Sequence, residues 1–287
     1  MLKRITLLLE MIKFSHTLFA LPFALLGMLI AAQGLPDFWT IFWIVLAMVG
    51  ARTLGMTLNR IIDADIDARN PRTAERHIPA GTVSRNEAWL LVLASFILFE
   101  VAAWALNPLA FKLSFVAVAF LVLYPYMKRF STLAHIVLGL TLAMAPIGAT
   151  IAVLGQVTLT SLFLGLFVLL WSAAFDIIYA TQDIEFDQQH CLHSIPARLG
   201  HKGALKVAAI LHCVAFASLL GSYLSLDFSG GWFMAGIVIV GGMLIYEHWL
   251  AWTARNPADI DTAFFTVNSY ISIVMLVSVS LDALMNW

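Results

Sequence analysis

Long apolar runs broken by short polar links fill this chain. A bilayer-spanning helix needs about twenty mostly apolar residues. That length marks about nine candidate spans, at residues 13–33, 38–62, 88–106, 109–127, 132–154, 159–182, 203–224, 231–252 and 262–285. The links 34–37, 107–108, 155–158 and 225–230 leave room only for a tight reversal, so the helices they join should be antiparallel neighbours. Links 63–87, 183–202 and 253–261 are longer and polar, and 128–131 is short but basic. Polar links therefore alternate with nearly uncharged ones. The pattern predicts an all-α, polytopic membrane protein forming a single membrane domain over residues 1–287, with no soluble-domain linker.

Local signals mark the boundaries. Ser84-Arg85-Asn86-Glu87 reads as a capping box opening the third span. Asp37 and Asp261 are placed to cap the second and ninth. Pro22 and Pro146 fall inside spans and should kink them. The apolar run from Phe14 is long and lacks a small-residue cleavage site after it, so it reads as a retained first span.

Composition agrees with a membrane solvent. The chain is 61% hydrophobic and 11% charged, with mean hydropathy +0.91. A formal net charge of −1 gives no field to recruit nucleic acid. Two cysteines, Cys191 and Cys213, make no disulfide framework. Placement of charge says more than its sum. Nearly all Lys and Arg residues, from Lys3 and Arg4 to Arg255, fall at one side's links and helix ends. The opposite links carry Asp37 and Asp227, with Lys112 the one basic residue near them. The positive-inside rule puts the basic side in the cytoplasm, the N-terminus inside and the C-terminus outside. The expected setting is a cell membrane, the inner membrane in a bacterium, with a central cavity opening at the cytoplasmic rim.

Two acidic motifs lie on that rim. Asn59-x3-Asp63-x3-Asp67 ends the second span, and Tyr179-x3-Asp183-x3-Asp187 ends the sixth. Residues four apart share a helix face, so each motif presents paired carboxylates. Asp176 lies deeper on the second stripe. The similar halves read as a weak internal repeat of two four-helix units plus one helix. Four carboxylates facing one another need cations between them. Mg²⁺ fits best, being hard, oxygen-seeking and often shared with substrate phosphates. Arg69, Arg72, Arg76, Lys128, Arg129 and Arg198 are candidates to clamp the phosphate oxygens. Acids and bases at a helix end are commonly solvated loop charges; two matched motifs on one face argue for a site. Asp65 and Glu185 fall on other faces.

These motifs, with Asn70-Pro71-Arg72-Thr73, Arg76, and Tyr124-Pro-Tyr126-Met-Lys128-Arg129 between them, resemble those of the UbiA superfamily of intramembrane prenyltransferases over essentially the whole chain. The resemblance implies Mg²⁺-dependent transfer of a polyprenyl group from its diphosphate to an acceptor. It implies that Asn59, Asp63 and Asp67 hold one Mg²⁺ and Asp183 and Asp187 another. Arg72, Arg76, Lys128 and Arg198 would hold the diphosphate. Tyr124, Tyr179 and Asp176 would stand near the reacting carbon. The segments Lys13-Phe-Ser-His16 and His193-Ser-Ile-Pro-Ala-Arg-Leu-Gly200 resemble a branch acting on quinone precursors, 4-hydroxybenzoate or dihydroxynaphthoate, in ubiquinone or menaquinone synthesis.

Arg52, inside a span, is an acceptor-side candidate that could instead pair with Glu100; His16 and His193 are the other acceptor-side candidates. Glu247 and His248 read as interfacial polar groups. No GxGxxG, Walker A loop, HExxH or nucleophile elbow occurs. The expected partners are polyprenyl diphosphate, an aromatic acceptor and the bilayer, with no protein partner implied. The rival readings are a secondary transporter with acidic ion sites, or prenyl transfer to haem or a non-aromatic acceptor. Charges gathered at one rim disfavour transport.

Overall fold

The structure is a computed structural model that describes residues 2–12, 20–226, 230–254 and 256–285. His16 therefore lies outside the described residues. All regular elements among them are helical: α1 (Leu2–Met11), α2 (Leu21–Ala32), α3 (Phe38–Ile62), α4 (Ala64–Asp67), α5 (Arg85–Leu106), α6 (Pro108–Met127), α7 (Ala134–Leu154), α8 (Leu159–Ala180), α9 (Ile184–Gln189), α10 (Ile195–Leu224), α11 (Gly231–Thr253), α12 (Pro257–Asp261) and α13 (Asn268–Met285). A 3₁₀ turn, Thr181–Asp183, joins α8 to α9, and a π-turn, Thr262–Val267, joins α12 to α13. Among the described residues eight helical stretches are long and apolar enough to span a bilayer. The first expected span is represented by α2, which at 12 residues is shorter than a full crossing.

The boundary signals are mostly borne out. Ser84 and Glu87 form the capping box of α5, and Asp37 accepts from the backbone of Trp39 and Thr40 at the start of α3. Two expectations are corrected. Pro22 stands in the first turn of α2 and opens that helix, where its missing N–H costs nothing. Asp261 makes no cap; Asn256 caps α12 instead. Pro146 does lie within α7, and Thr150 Oγ1 donates to its carbonyl at 3.0 Å.

Helix α8 is the axis of the bundle. It packs on α7 and α10, and α2 and α13 close the same side, while α3, α5 and α6 group together. Close approach is built from small residues, as membrane packing requires. A Cβ on Gly139 of α7 would stand 2.2 Å from the carbonyl oxygen of Leu169 on α8. The shared core holds Phe23, Leu164, Phe167, Trp171, Phe233 and Met275. Large apolar side chains such as Trp104, Leu224 and Ile245 face outward, which suits a lipid solvent.

Candidate active site

Both acidic motifs sit where a long helix breaks. At the first, α3 stops at Ile62 and Asp63 is its C-cap; its N–H still donates to Asn59 O. One further turn, α4, carries Asp67. The Asn70 side chain accepts from Arg72 N, and Thr73 Oγ1 donates to Asp67 O, which fixes the turn presenting Arg72 and Arg76. At the second, α8 tightens into the 3₁₀ turn ending at Asp183, then runs on as α9 through Asp187.

The first pair is buried, with Asp63 2% and Asp67 4% exposed. Asn59 Nδ2 donates to Asp63 Oδ2 at 2.9 Å, and Lys128 Nζ lies 2.7 Å from the same oxygen. Asp63 Oδ1 is buried with no hydrogen bond; Arg129 Nη2 is 4.0 Å away. Burial pushes the Asp63 carboxyl above the usual carboxylate range, against the pull of Lys128. Both Asp67 oxygens accept from Arg76 Nη1, at 2.8 and 2.7 Å.

The second pair is reached from the first motif's turn. Arg72 Nε donates to Asp183 Oδ1 at 2.9 Å, its Nη2 pairs with Oδ2, and Asn70 Nδ2 donates to Oδ1 at 3.0 Å. Arg72 Nη1 also donates to Tyr179 Oη at 2.7 Å. Burial disfavours the Arg72 charge, but the hydrogen bonds and charge of Asp183 outweigh it and hold the guanidinium above its ordinary value. Asp187 Oδ2 accepts from Ser194 Oγ, which also caps α10.

The acidic side chains of the two motifs meet Arg, Lys and Asn partners first. Among the described residues no three His, Cys, Asp or Glu side chains gather closely enough to hold a metal by themselves. Asp63, Asp67 and Asp183 face basic side chains instead, since a buried carboxylate must be neutralised.

An apolar cavity of about 530 Å³ lies below the motifs. Asn59, Arg76, Tyr124, Asp176 and Tyr179 line its polar end, and Ala24, Ala117, Gly148 and Phe120 line its apolar part. A polar cavity of about 960 Å³ adjoins it, sharing Arg60, Arg76, Tyr179 and Phe265 and adding Arg72, His77 and Asp261. Arg52 also lines the apolar cavity; its Nε is buried without a hydrogen-bond partner. Glu100 is bonded by Ser114 Oγ at 2.7 Å, and no ion pair joins it to Arg52 among the described residues.

Arg198 and His193 are exposed and line neither cavity. His193 contributes through its backbone, whose N–H donates to Lys128 O at 2.7 Å. Three participants were not assigned from sequence. Asn70 and Ser194 lie inside segments whose motif content was noticed. His135 had no local signal: its Nδ1 sits 2.7 Å from Asp176 Oδ2, a contact 41 positions away.

Comparison with known proteins bears on the family and the fold. Residues 20–270 match the UbiA prenyltransferase family. The chain is 30% identical over 252 residues to 4-hydroxybenzoate octaprenyltransferase of Vibrio atlanticus, covering 88% of this chain and 87% of that one. It is 32% identical over 266 residues to the Vibrio cholerae enzyme of the same name, covering 89% of each. The solved apo structure of a UbiA homolog from Aeropyrum pernix superposes with a TM-score of 0.86 at 33% identity, covering 93% of this chain and 98% of that one. A UbiA homolog from Archaeoglobus fulgidus bound to DMAPP and Mg²⁺ shares the fold, with a TM-score of 0.70 at 20% identity, covering 96% and 99%. This chain, a multi-pass membrane protein, belongs to the UbiA prenyltransferase family.

Proposed function

We propose that this prenyltransferase moves a polyprenyl group from polyprenyl diphosphate to an aromatic quinone precursor, a 4-hydroxybenzoate-type acid or dihydroxynaphthoate, with Mg²⁺. One observation carries the reading: an apolar cavity whose polar end, at Asn59, Arg76 and Tyr179, adjoins two acidic motifs interleaved with Arg and Lys. Such a cavity suits an isoprenoid tail with a charged head. The donor set fits Mg²⁺, being all oxygen, and Asp63 Oδ1 is a buried anion oxygen without a hydrogen bond. Mg²⁺ takes one or two carboxylates plus substrate phosphates, so a tight protein-only cluster is not required. Asn59, Asp63 and Asp67 would hold one ion, and Asp183 and Asp187 a second. When bound, the metal supplies charge neutralisation for the departing diphosphate.

The chain's own residues supply the rest. Arg72, Arg76 and Lys128 exchange their carboxylate partners for diphosphate oxygens, which carry more charge and accept in the same fork geometry. Arg198 would join them only at the rim. Cleavage of the allylic C–O bond leaves a delocalised cation. The ring faces of Tyr124 and Tyr179 stabilise it, and the apolar wall keeps water from it. Arg52, aimed into the cavity with a free donor, suits an acceptor carboxylate. That agrees with the acid named in the relatives' activity. Asp176 Oδ1 is the base for the proton the aromatic ring loses, its other oxygen being held by His135. The basic links support a site facing the cytoplasmic side of a cell membrane.

The test is transfer itself. Purified protein is incubated with labelled polyprenyl diphosphates, Mg²⁺ and a panel of aromatic and non-aromatic acceptors. Prenylated aromatic acid that disappears on chelation and in Asp63→Ala and Asp183→Ala is the expected result. Product only with haem or another non-aromatic acceptor, or none with any, contradicts the proposal.

A further inference from the structure

The π-turn Thr262–Val267 has a structural cause outside the acidic motifs. A π-turn holds an extra residue, which shifts the side-chain register and splays carbonyls. Here it lets two consecutive residues reach one ring. Phe264 stacks on Tyr179 with centroids 4.1 Å apart, and Phe265 meets the same ring at 5.7 Å and 72°. Tyr179 and Phe265 line both the apolar and the polar cavity, so together they form part of the partition between them.

Asn268, fully buried at the start of α13, holds this turn. Its Oδ1 accepts from Trp171 Nε1 at 2.7 Å. An indole nitrogen only donates, so this bond fixes the amide's orientation. Nδ2 then faces three acceptors: the carbonyls of Ala263 and Phe264, each at 3.1 Å, and Glu247 Oε1 at 3.0 Å. Two of the three belong to the π-turn. Glu247 is fully buried on α11, which corrects its sequence reading as an interfacial group. Trp171 is clamped by Phe23 and Phe175, with centroids at 5.1 and 4.9 Å. The amide thus ties α8, α11 and α13 to the backbone carrying Phe264.

We propose that Asn268 is a positioning residue: braced by Trp171 and Glu247, it pins the π-turn so that Phe264 and Phe265 hold the Tyr179 ring in the partition between the apolar and polar cavities. The inference rests on the prenyl-donor reading of that cavity. The consequence is control of the cation's fate. In transfer, the allylic carbon loses its C–O bond to diphosphate and gains a bond to the acceptor ring, which releases a proton. In the leak, the same carbon bonds a water oxygen and a proton passes to solvent, giving prenyl alcohol and diphosphate. A loosened partition favours the leak.

Asn268→Asp keeps the oxygen that meets Trp171 but removes the donor to the π-turn carbonyls. The ratio of prenyl alcohol to transfer product should rise by about tenfold, the scale of a small misplacement at a reacting centre. Phe265→Ala should shift the ratio the same way. Glu247→Leu should raise it less, and Glu247→Gln, whose amide oxygen still accepts, should restore it. Misfolding alone would lower both products and leave the ratio of the surviving fraction unchanged. An unchanged ratio in Asn268→Asp, with transfer intact in the wild type, overturns the inference without touching the proposed function. A readout independent of turnover is ¹⁹F NMR of protein carrying 4-fluorophenylalanine at position 264. Its resonance should move in Asn268→Asp and not in Glu247→Gln. A resonance that stays in both overturns the positioning role even if no acceptor is ever found; one that moves supports it, and a wild type without product then counts against the proposed function alone.

Discussion

Asp63 and Asp67 sit almost wholly inside the protein, whereas Asp183 and Asp187 are only half-buried. Both pairs have the same spacing and both lie at a broken helix end. Their partners differ. The first pair is held by Lys128, from the end of α6, and by Arg76 of the motif's own turn. The second is held by the first motif's own turn, through Asn70 and Arg72, and by the cap of α10 through Ser194. Residues 70–76 therefore serve both motifs. The first motif acts as the fixed pole of the site, and the second is oriented by it. A buried carboxylate without a cation is costly, so the fixed pole should be the more sensitive half.

That asymmetry can be broken or sharpened by substitution. Asp63→Ala should cut kcat/KM by about 10³-fold, comparable to losing a principal electrostatic contact in a reaction that releases an anion. Asp187→Asn, which leaves an oxygen for Ser194, should cost only about tenfold under the same argument. Equal losses in the transfer assay would dissolve the distinction. Arg72→Lys should raise the donor KM by about tenfold, because a lysine cannot make the forked contact to Asp183 and also reach Tyr179. Arg52→Ala should raise the acceptor KM by several-fold, roughly the value of one charged hydrogen bond, while leaving the donor KM in place. Arg85→Ala breaks the exposed pair with Asp65 and should leave transfer within about twofold.

The pH dependence has a definite sign. Because burial raises the Asp63 carboxyl, the folded protein binds that proton more tightly than the unfolded chain. Asp63's contribution to stability is therefore present at low pH and is lost as pH rises through its folded value. Cation and diphosphate binding runs the other way, since it needs the ionised carboxylate. Donor binding should weaken as pH falls, beginning above the usual carboxylate range. Lys128→Ala removes an opposing charge and should move that acid limb to higher pH, measured by donor titration across pH 4–8 (roughly the window in which raised carboxylates titrate).

Much of this was legible in the chain, for physical reasons. The bilayer's thickness sets span length, so α3, α5, α6, α7 and α11 follow from apolar runs. The i, i+4 rule placed Asp63 with Asp67, and Arg72 and Arg76 were legible as bases near them. Which base meets which acid was not, because Arg72–Asp183 and Lys128–Asp63 are tertiary pairs. The end of α3 at Ile62 was legible as the end of an apolar run, whereas the separate turns α4 and α9 that carry Asp67 and Asp187 were hidden, with no proline or glycine to announce them. The π-turn was equally hidden, since Asn268, which bonds its carbonyls, is itself bonded by Trp171 almost a hundred residues away. Glu247 shows the same limit: a charge near a span's end looks interfacial until the neighbouring helix is known to bury it.

The most direct test of the account is Mg²⁺-dependent binding of an uncleavable prenyl thiodiphosphate, titrated against wild type, Asp63→Ala, Asp183→Ala and the double variant. Two motifs forming one site predict that binding needs the metal, that each single variant loses most of it, and that the double variant is hardly worse than either. Binding indifferent to Mg²⁺, or losses that simply add, would contradict a shared metal–diphosphate site.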